Sequence, residues 1–430
     1  MKKFFSKNKK LILMILFTAL GLLIWRFGTK IKVPLFSVNY DGSSSTANQG
    51  MFGFLDIFTG GALSQFSILA LGISPYITSS IVVQLLQMDI IPQFKEWADE
   101  GETGRAKLNQ WTRYIALLLA FVQSLALIIG IKNNYSNLYF DETLGNLNAF
   151  AYVYMAIVMT AGSAFTIWLA DQITMHGVGN GSSMLIAGGI IASFPQMFVD
   201  LYKEYFVNAE ATLGNTVKFI IVIALFILII FAVVFMEGLQ RKIPIQFANR
   251  PSAAAIRGKQ NSDFPIKINS ASVIPVIFAS TLLSIPLTIV NFTKDPSVWW
   301  ERIFSYKEPI GFALYIILIF IFSFFYSFLQ INPDKVAENL KKQNSYIPGV
   351  KPGEDTAVYL SKVLFKVTLL GATYLAILAS LPMIVTSIFG ITSTSVTIGG
   401  TSLMIVVGVA IETAKQIKTQ NEPQEYKGLL

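Results

Sequence analysis

Ten long apolar runs alternate with shorter polar segments along the 430 residues, and they restrict the possible fold more than any other feature. A helix needs about 20 mostly apolar residues to cross roughly 30 Å of hydrocarbon. Each run is close to that length, so each is predicted to form one transmembrane span. The ten predicted spans are Leu11–Phe27, Phe66–Leu86, Ile115–Ile131, Tyr152–Leu169, Ser182–Phe198, Phe219–Phe235, Ser272–Val290, Ile310–Leu329, Val367–Pro382 and Ile398–Ala414.

The composition agrees with a membrane protein. Hydrophobic residues make up 53% of the chain and charged residues only 13%, whereas an average soluble domain has about 25% charged residues. Only helices and closed barrels satisfy their backbone in lipid, and the apolar runs lack the alternation that is typical of barrel strands. We therefore predict an all-α membrane protein with ten transmembrane helices.

The positions of lysine and arginine predict the orientation of the chain. Most of the 33 basic residues fall in the N-terminal segment, the C-terminal segment and the even-numbered loops between spans. Because basic loops remain in the cytoplasm, both termini are expected there. The segment after Phe27 lacks a small-residue cleavage site, so the first span is expected to remain uncleaved.

Three segments are longer than the connection of two helices requires. The first runs from about Lys30 to Gln65, and its last part, at about residues 50–65, is apolar, too short to span and interrupted by two glycines. It fits either a helix inserted halfway into the bundle or a helix lying on the membrane surface. The other two, at about residues 237–270 and 332–362, lie in the cytoplasm in this topology. Their basic residues fit either a docking surface or a rim that only follows the topology rule.

No group of residues typical of an active site is evident. The chain has no cysteine, and His176 is its only histidine, so a thiolate or histidine metal site is not expected. The segment Gly177–Gly181 is rich in glycine, but it lacks the preceding strand and the following lysine of a phosphate-binding loop. A turn between two membrane helices is expected there instead. We therefore expect no enzymatic activity and no cofactor or metal.

Several short sequence segments resemble segments that are typical of one family of membrane proteins, and they occur in the same order along the chain. They are Trp25–Thr29, Gly60–Ile81, Gly177–Gly181, Ile243–Ala248, Phe264–Asn269, Val273–Ser280, Asn332–Pro333, Asn339–Lys342, Ile347–Gly353 and Gly399–Leu403. In this order the chain resembles the SecY/Sec61 family of protein-conducting channel subunits, in its bacterial form. The similarity runs from the first span to the tenth.

The resemblance implies two inverted five-helix halves around an hourglass pore, residues 1–200 with spans one to five and residues 201–430 with spans six to ten. It also implies that about residues 50–65 form a plug in the outer funnel. Aliphatic side chains around a narrow neck exclude water and ions by dewetting. The matching positions for this pore ring are Ile73, Ile77, Ser182, Ile186, Ile277 and Ile405.

The resemblance further implies a lateral gate between the second and seventh spans, through which an apolar segment would reach the lipid. The polar residues expected along this gate are Thr78, Gln123 and Asn269. Polar side chains also join static membrane helices, so Gln123 and Asn269 would equally suit fixed contacts within the bundle.

The cytoplasmic loops are expected to dock partners through Arg250, Lys267 and Lys351. The partners that the resemblance implies are the SecE and SecG membrane subunits, the SecA motor or the ribosome, polypeptides that carry signal sequences, and membrane lipid. The implied location is the bacterial plasma membrane, with the energy for movement supplied by a partner.

Three positions depart from the family pattern. Ser182 stands at a ring position that is usually aliphatic, which predicts a narrower or wetter seal. Met175-His176 replaces a charged pair, and Lys351 stands where the family has arginine, so the planar guanidinium is lost. The sequence fits both a housekeeping channel and an accessory paralogue with selected substrates.

Two other functions compete with a polypeptide channel. A secondary transporter also uses broken helices and inverted repeats, but it usually keeps ionisable groups near the midplane. Arg26 and Glu412 are the charged residues within the predicted spans, and both lie near an end. A membrane scaffold without a pore is the third possibility.

Overall fold

The computed structural model describes residues 9–34, 56, 58–87, 91–134, 149–207, 213–247, 262–290, 303–304, 308–389 and 394–421. Within these ranges one helix corresponds to each predicted span. These helices are α1 (Lys9–Gly28), α2 (Ser74–Leu86), α4 (Glu102–Asn134), α5 (Ala149–His176), α6 (Gly181–Tyr202), α7 (Leu213–Gly238), α8 (Ile274–Val290), α9 (Pro309–Gln330), α11 (Glu354–Phe389) and α12 (Thr394–Asn421). Two shorter helices, α3 (Pro92–Asp99) and α10 (Pro333–Lys342), lie between them.

Seven helices of the described chain are long and apolar enough to cross a membrane, namely α1, α4, α5, α6, α7, α9 and α11. Their outward faces are strongly apolar, as the exposed side chains of Ile227 and Phe231 on α7 illustrate. Such faces are expected where a helix contacts lipid rather than water. The prediction of an all-α membrane fold is confirmed, and the helices are consistent with ten spans.

The second span differs from its prediction at its beginning. We predicted a span from Phe66, but α2 begins only at Ser74, and residues 59–73 form a succession of turns. The φ angle of Phe66 is 48°, a left-handed conformation that a continuous helix does not accommodate. Pro75 then lies in the first turn of α2, where its missing N–H group costs no hydrogen bond. The apolar run is therefore divided between a turn region and a short helix.

The helices of residues 1–200 contact those of residues 201–430 along two lines. On one line α2 and α4 pack against α8, and on the other α6 and α1 pack against α12. Within each group, neighbours in the chain also pack together, such as α4 with α5 and α8 with α9. The line between α2 and α8, where the two groups face each other, is called the seam below.

A small antiparallel sheet joins the two long loops that follow α7 and α9. Strand β1 (Gln240–Phe247) pairs with β2 (Ser262–Lys267) on one side and with β3 (Ser345–Tyr346) on the other. The hydroxyl of Tyr346 also donates to Oε1 of Gln246 at 3.1 Å. The sequence analysis did not anticipate this sheet, which makes one surface from loops that lie about a hundred residues apart.

The glycine-rich segment between α5 and α6 forms the expected tight turn between two helices. Its backbone N–H at Val178 donates to Oγ1 of Thr18 on α1 at 2.9 Å. A Cβ atom at Gly181 would lie 1.9 Å from the carbonyl oxygen of Ala170, so α5 and α6 approach too closely for any other residue. The turn therefore allows the close packing of α5 against α6.

Candidate functional site

A cavity of about 20 Å³ lies where α2, α6 and α8 meet. A cavity needs at least about 10–15 Å³ to hold one water molecule, so this one has room for little more than that. Four of the six residues predicted for the pore ring line it. The lining residues are Phe58, Thr59, Ile73, Ser74, Ile77, Ile186, Ile277, Ser280 and Thr281.

The other two predicted ring residues lie elsewhere. Ile405 on α12 is buried in the same apolar cluster as Ile73, Ile186 and Ile277, but it does not line the cavity. Ser182 lies in the first turn of α6, where its backbone N–H donates to Oδ1 of Asn180 at 3.0 Å. The structure therefore places Ser182 with the interhelical turn and outside the cavity wall.

Ile190, which the sequence analysis did not single out, is fully buried in the same cluster as Ile186. Residues four apart share one face of a helix, so Ser182, Ile186 and Ile190 follow one another along α6. The apolar pair of this series is Ile186 and Ile190. That pattern was available in the sequence, and the assignment of the ring stays a prediction.

The segment that precedes α2 includes the described end of the predicted plug, and it lies within the helix bundle. The predicted plug at about residues 50–65 is described at Asp56 and from Phe58 onward, and residues 50–55 and 57 lie outside the described chain. Thr59 is buried, and both Phe58 and Thr59 line the cavity. The described part of this segment thus lies inside the bundle and not on the membrane surface.

Two contacts hold this segment in place. Nη1 of Arg26, near the end of α1, donates to the carbonyl oxygen of Gly60 at 2.5 Å. On the other side the backbone of α6 approaches very closely, because a Cβ atom at Gly189 would lie 2.3 Å from the carbonyl oxygen of Phe58. We call Arg26 and Gly189 the plug seat. Within the segment, Oδ1 of Asp56 accepts from the backbone N–H of Ser64 at 2.8 Å.

The residues predicted for the lateral gate lie on different elements. Thr78 is buried on α2 and donates to the carbonyl oxygen of Ser74 in its own helix at 3.2 Å. Gln123 is half-buried on α4. Asn269 donates to Oε1 of Glu237 at 3.2 Å, and both belong to residues 201–430. Within the described chain the three residues form no hydrogen bond with one another, and their role along the gate stays a prediction.

Glu237, at the end of α7, is the centre of a polar cluster that the sequence analysis did not identify. Only 7% of this residue is exposed, and its Oε1 also accepts from Oγ of Ser272 at 3.3 Å. Nζ of Lys415 on α12 donates to its backbone carbonyl at 2.9 Å. The cluster borders a cavity of about 250 Å³ that Tyr326 and Glu412 also line. It joins α7, α12 and the start of α8.

Two of the three predicted docking residues are exposed on the long loops. Lys267 ends β2, and Lys351 precedes α11, with its backbone carbonyl accepting from Oγ1 of Thr356 at 2.7 Å. Arg250 lies outside the described residues. Since β1 pairs with strands from both loops, Lys267 and Lys351 project from connected parts of one structure.

These features define a class of protein: a helical membrane protein with a segment inserted into its bundle, beside a small cavity that isoleucines of three helices line. The SecY family profile matches residues 67–414 of this chain. A protein translocase subunit SecY of Bacillus licheniformis is 42% identical over 430 residues, covering 99% of this chain and 98% of the relative. The chain belongs to the SecY family.

Solved structures support the same fold. A structure concerned with the SecY plug domain, which stabilises the closed state and maintains a membrane seal in that protein, matches with a TM-score of 0.64 at 18% identity. That match covers 97% of this chain and 95% of the other. Sec61 in the canine ribosome-channel complex matches with a TM-score of 0.61 at 17% identity, with the same coverage.

Proposed function

We propose that this chain is the pore-forming subunit of a protein-conducting channel. It passes unfolded secretory polypeptides across the membrane and releases apolar segments sideways into lipid. The observation that carries this proposal is the cavity of about 20 Å³ between Phe58 and the isoleucines of α2, α6 and α8. None of its described lining residues is ionisable, which disfavours a coupled solute transporter.

The seal in this proposal is the aliphatic constriction. We assign it to Ile73, Ile77, Ile186, Ile277 and Ile405, with Ile190 behind Ile186 in place of Ser182. Such side chains exclude water and ions while the neck is narrow, and they make no directional bond that would hold a sliding polypeptide. The plug segment, held at the plug seat, closes the passage on the other side of the ring.

The lateral gate in this proposal is the seam. A signal sequence needs about 20 apolar residues in lipid contact, so its path from the passage must run between helices. Helices α2 and α4 contact α8 there, and Thr78 on α2 and Gln123 on α4 supply polar groups near it. Residues 1–200 and 201–430 then act as two bodies that separate along this line.

Partners supply the energy and the remaining subunits. We propose that the SecA motor or the ribosome docks on the loops that carry Arg250, Lys267 and Lys351, and that SecE and SecG accompany the chain in the membrane. The sheet β1–β3 connects both loops, so a single partner can contact them together. The chain itself is a conduit and not an enzyme, placed in the bacterial plasma membrane with both termini in the cytoplasm.

The test is transport by the purified chain with its partner subunits in liposomes. A preprotein, motor and ATP are added, and the fraction of preprotein protected from protease is measured, with a preprotein lacking its signal sequence as the control. Protection that requires both the signal sequence and ATP supports the proposal. Uptake of a small solute without preprotein protection would support a transporter, and neither activity would support a scaffold.

A further inference from the structure

In addition to the predicted gate residues, two side-chain contacts join the helices of residues 1–200 to those of residues 201–430. The hydroxyl of Tyr326, near the end of α9, donates to Oε1 of Gln84, near the end of α2. Nζ of Lys335 on α10 lies 2.9 Å from Oδ1 of Asp99, the last residue of α3. Gln84 and Asp99 belong to residues 1–200, whereas Tyr326 and Lys335 belong to residues 201–430. Both contacts therefore cross between the two bodies that must separate when the seam opens.

The tyrosine is held in a fixed position. Only 8% of Tyr326 is exposed, and its ring packs edge-on against Phe278 of α8 with the ring centroids 4.9 Å apart. A buried tyrosine hydroxyl needs a hydrogen-bond partner, because leaving it unpaired costs its desolvation energy. In the closed arrangement that partner comes from the opposite group of helices.

The glutamine is oriented for this role. Nε2 of Gln84 donates to Oγ of Ser80, one turn earlier on α2, at 3.0 Å. Because the amide nitrogen is engaged within α2, the amide oxygen is directed towards Tyr326. The bond thus joins two side chains that are each positioned by their own helix group before they meet.

The ion pair is a weaker contact of a different kind. The side chains of Lys335 and Asp99 are 64% and 57% exposed, and such pairs contribute little and are screened by salt. The hydrogen bond and charge of Lys335 lower the pKa of Asp99. Lys335 is itself positioned because its backbone N–H donates to Oδ1 of Asn332, which caps α10.

We propose that the bond between Tyr326 and Gln84, assisted by the ion pair between Lys335 and Asp99, is a latch that determines how apolar a signal sequence must be to open the seam. The inference rests on the proposed function. A signal helix opens the seam only if its own contacts compensate for those that it breaks. Hydrogen bonds between membrane helices are weak enough for such exchange, so removing this bond lowers the threshold for entry.

The experiment measures export of preproteins whose apolar signal core is shortened one residue at a time. Tyr326→Phe removes only the hydroxyl, and Gln84→Leu removes the acceptor. Each is expected to raise export of the shortest accepted preprotein about tenfold, and the double variant is expected to match the single ones because all remove the same bond. Lys335→Gln is expected to have a smaller effect that disappears at high salt.

The chain offers a matched control. On α4 the hydroxyl of Tyr114 accepts from Nε2 of Gln110 at 2.8 Å, a tyrosine–glutamine bond within one helix. Tyr114→Phe is expected to leave the threshold unchanged. Because the chain has no cysteine, a pair of spin labels at Gln93 and Lys341, both exposed, can report the opening of the seam directly. Tyr326→Phe is expected to increase the longer-distance population, and Tyr114→Phe is not.

The outcomes separate this inference from the function on which it rests. Failure of the unmodified chain to export any preprotein would contradict the proposed function. Normal export with the same threshold and the same label distances in Tyr326→Phe, Gln84→Leu and Tyr114→Phe would overturn the latch alone. Additive effects of Tyr326→Phe and Gln84→Leu would also overturn it, because the two residues would then act separately.

Discussion

The close approach of α6 to the plug segment makes Gly189 a precise point at which to disturb the closed passage. The change Gly189→Ala adds one methyl group and keeps a good helix former within α6. That methyl group would lie 2.3 Å from the carbonyl oxygen of Phe58 and 3.2 Å from the backbone nitrogen of Gly60. Both neighbours are backbone atoms, so they cannot yield by changing a side-chain rotamer. The segment that holds Phe58 and Gly60 must therefore move away from α6.

The size of the effect follows from the geometry. An ordinary contact needs roughly 1 Å more than the 2.3 Å available, and overpacking of this kind costs about 1–3 kcal/mol. Since each 1.4 kcal/mol is about a factor of ten in an equilibrium constant, the seated plug segment loses about 5- to 150-fold in population against displaced positions. The bond from Arg26 to Gly60 should weaken with the same movement.

The assay is ion leakage from liposomes that contain the purified channel without motor or preprotein. Gly189→Ala should leak measurably more than the unmodified chain, while its unfolding temperature changes little because α6 is retained. Gly188→Ala is the matched control, since a Cβ atom there would meet only the end of the Leu22 side chain at 3.0 Å. Equal, tight seals in both variants would refute the reasoning that backbone contact at Gly189 seats the plug.

Three further predictions address other parts of the chain. Glu237→Leu should lower the free energy of unfolding by about 1–3 kcal/mol in denaturant unfolding, because Asn269 loses its buried acceptor. Glu237→Gln should keep most of the stability, because the amide oxygen can still accept that hydrogen bond. Lys267→Glu with Lys351→Glu should weaken motor binding measurably, with a stability change within about 0.5 kcal/mol; unchanged affinity would favour a simple basic rim. A cysteine label at Gln343 should be unreachable from outside intact cells, and the opposite result would reverse the topology.

Local patterns in the sequence predicted the parts of the fold that depend on neighbouring residues. The apolar runs predicted the helices because the length and hydrophobicity of a span are local properties. The same patterns misplaced the start of α2, since the turn at Phe66 is apolar and looks like helix in a hydropathy profile. The ring position of Ser182 came from the family resemblance and not from hydropathy, and it stays a prediction.

Contacts between distant parts of the chain were beyond this reasoning. The pairing of Gln246 with Tyr346 in the sheet, and of Gln84 with Tyr326 across the seam, joins residues that share no periodic pattern. The bond from Asn269 to Glu237 was equally beyond local patterns, and the place of Asn269 along the gate stays a prediction. Such pairings depend on how distant helices and loops pack together. The spacing of residues in a single sequence does not reveal that packing.

The plug segment and the seam are held by hydrogen bonds and close contacts on different elements. The plug seat lies on α1 and α6, whereas the contacts across the seam join α2 and α3 to α8, α9 and α10. Displacing the plug segment therefore breaks none of the described hydrogen bonds or ion pairs of the seam, and separating the seam leaves the bond from Arg26 to Gly60 in place. We infer that the seal against ions and the selection of a signal helix can be altered separately, which Gly189→Ala and Tyr326→Phe would each demonstrate by changing only one of the two.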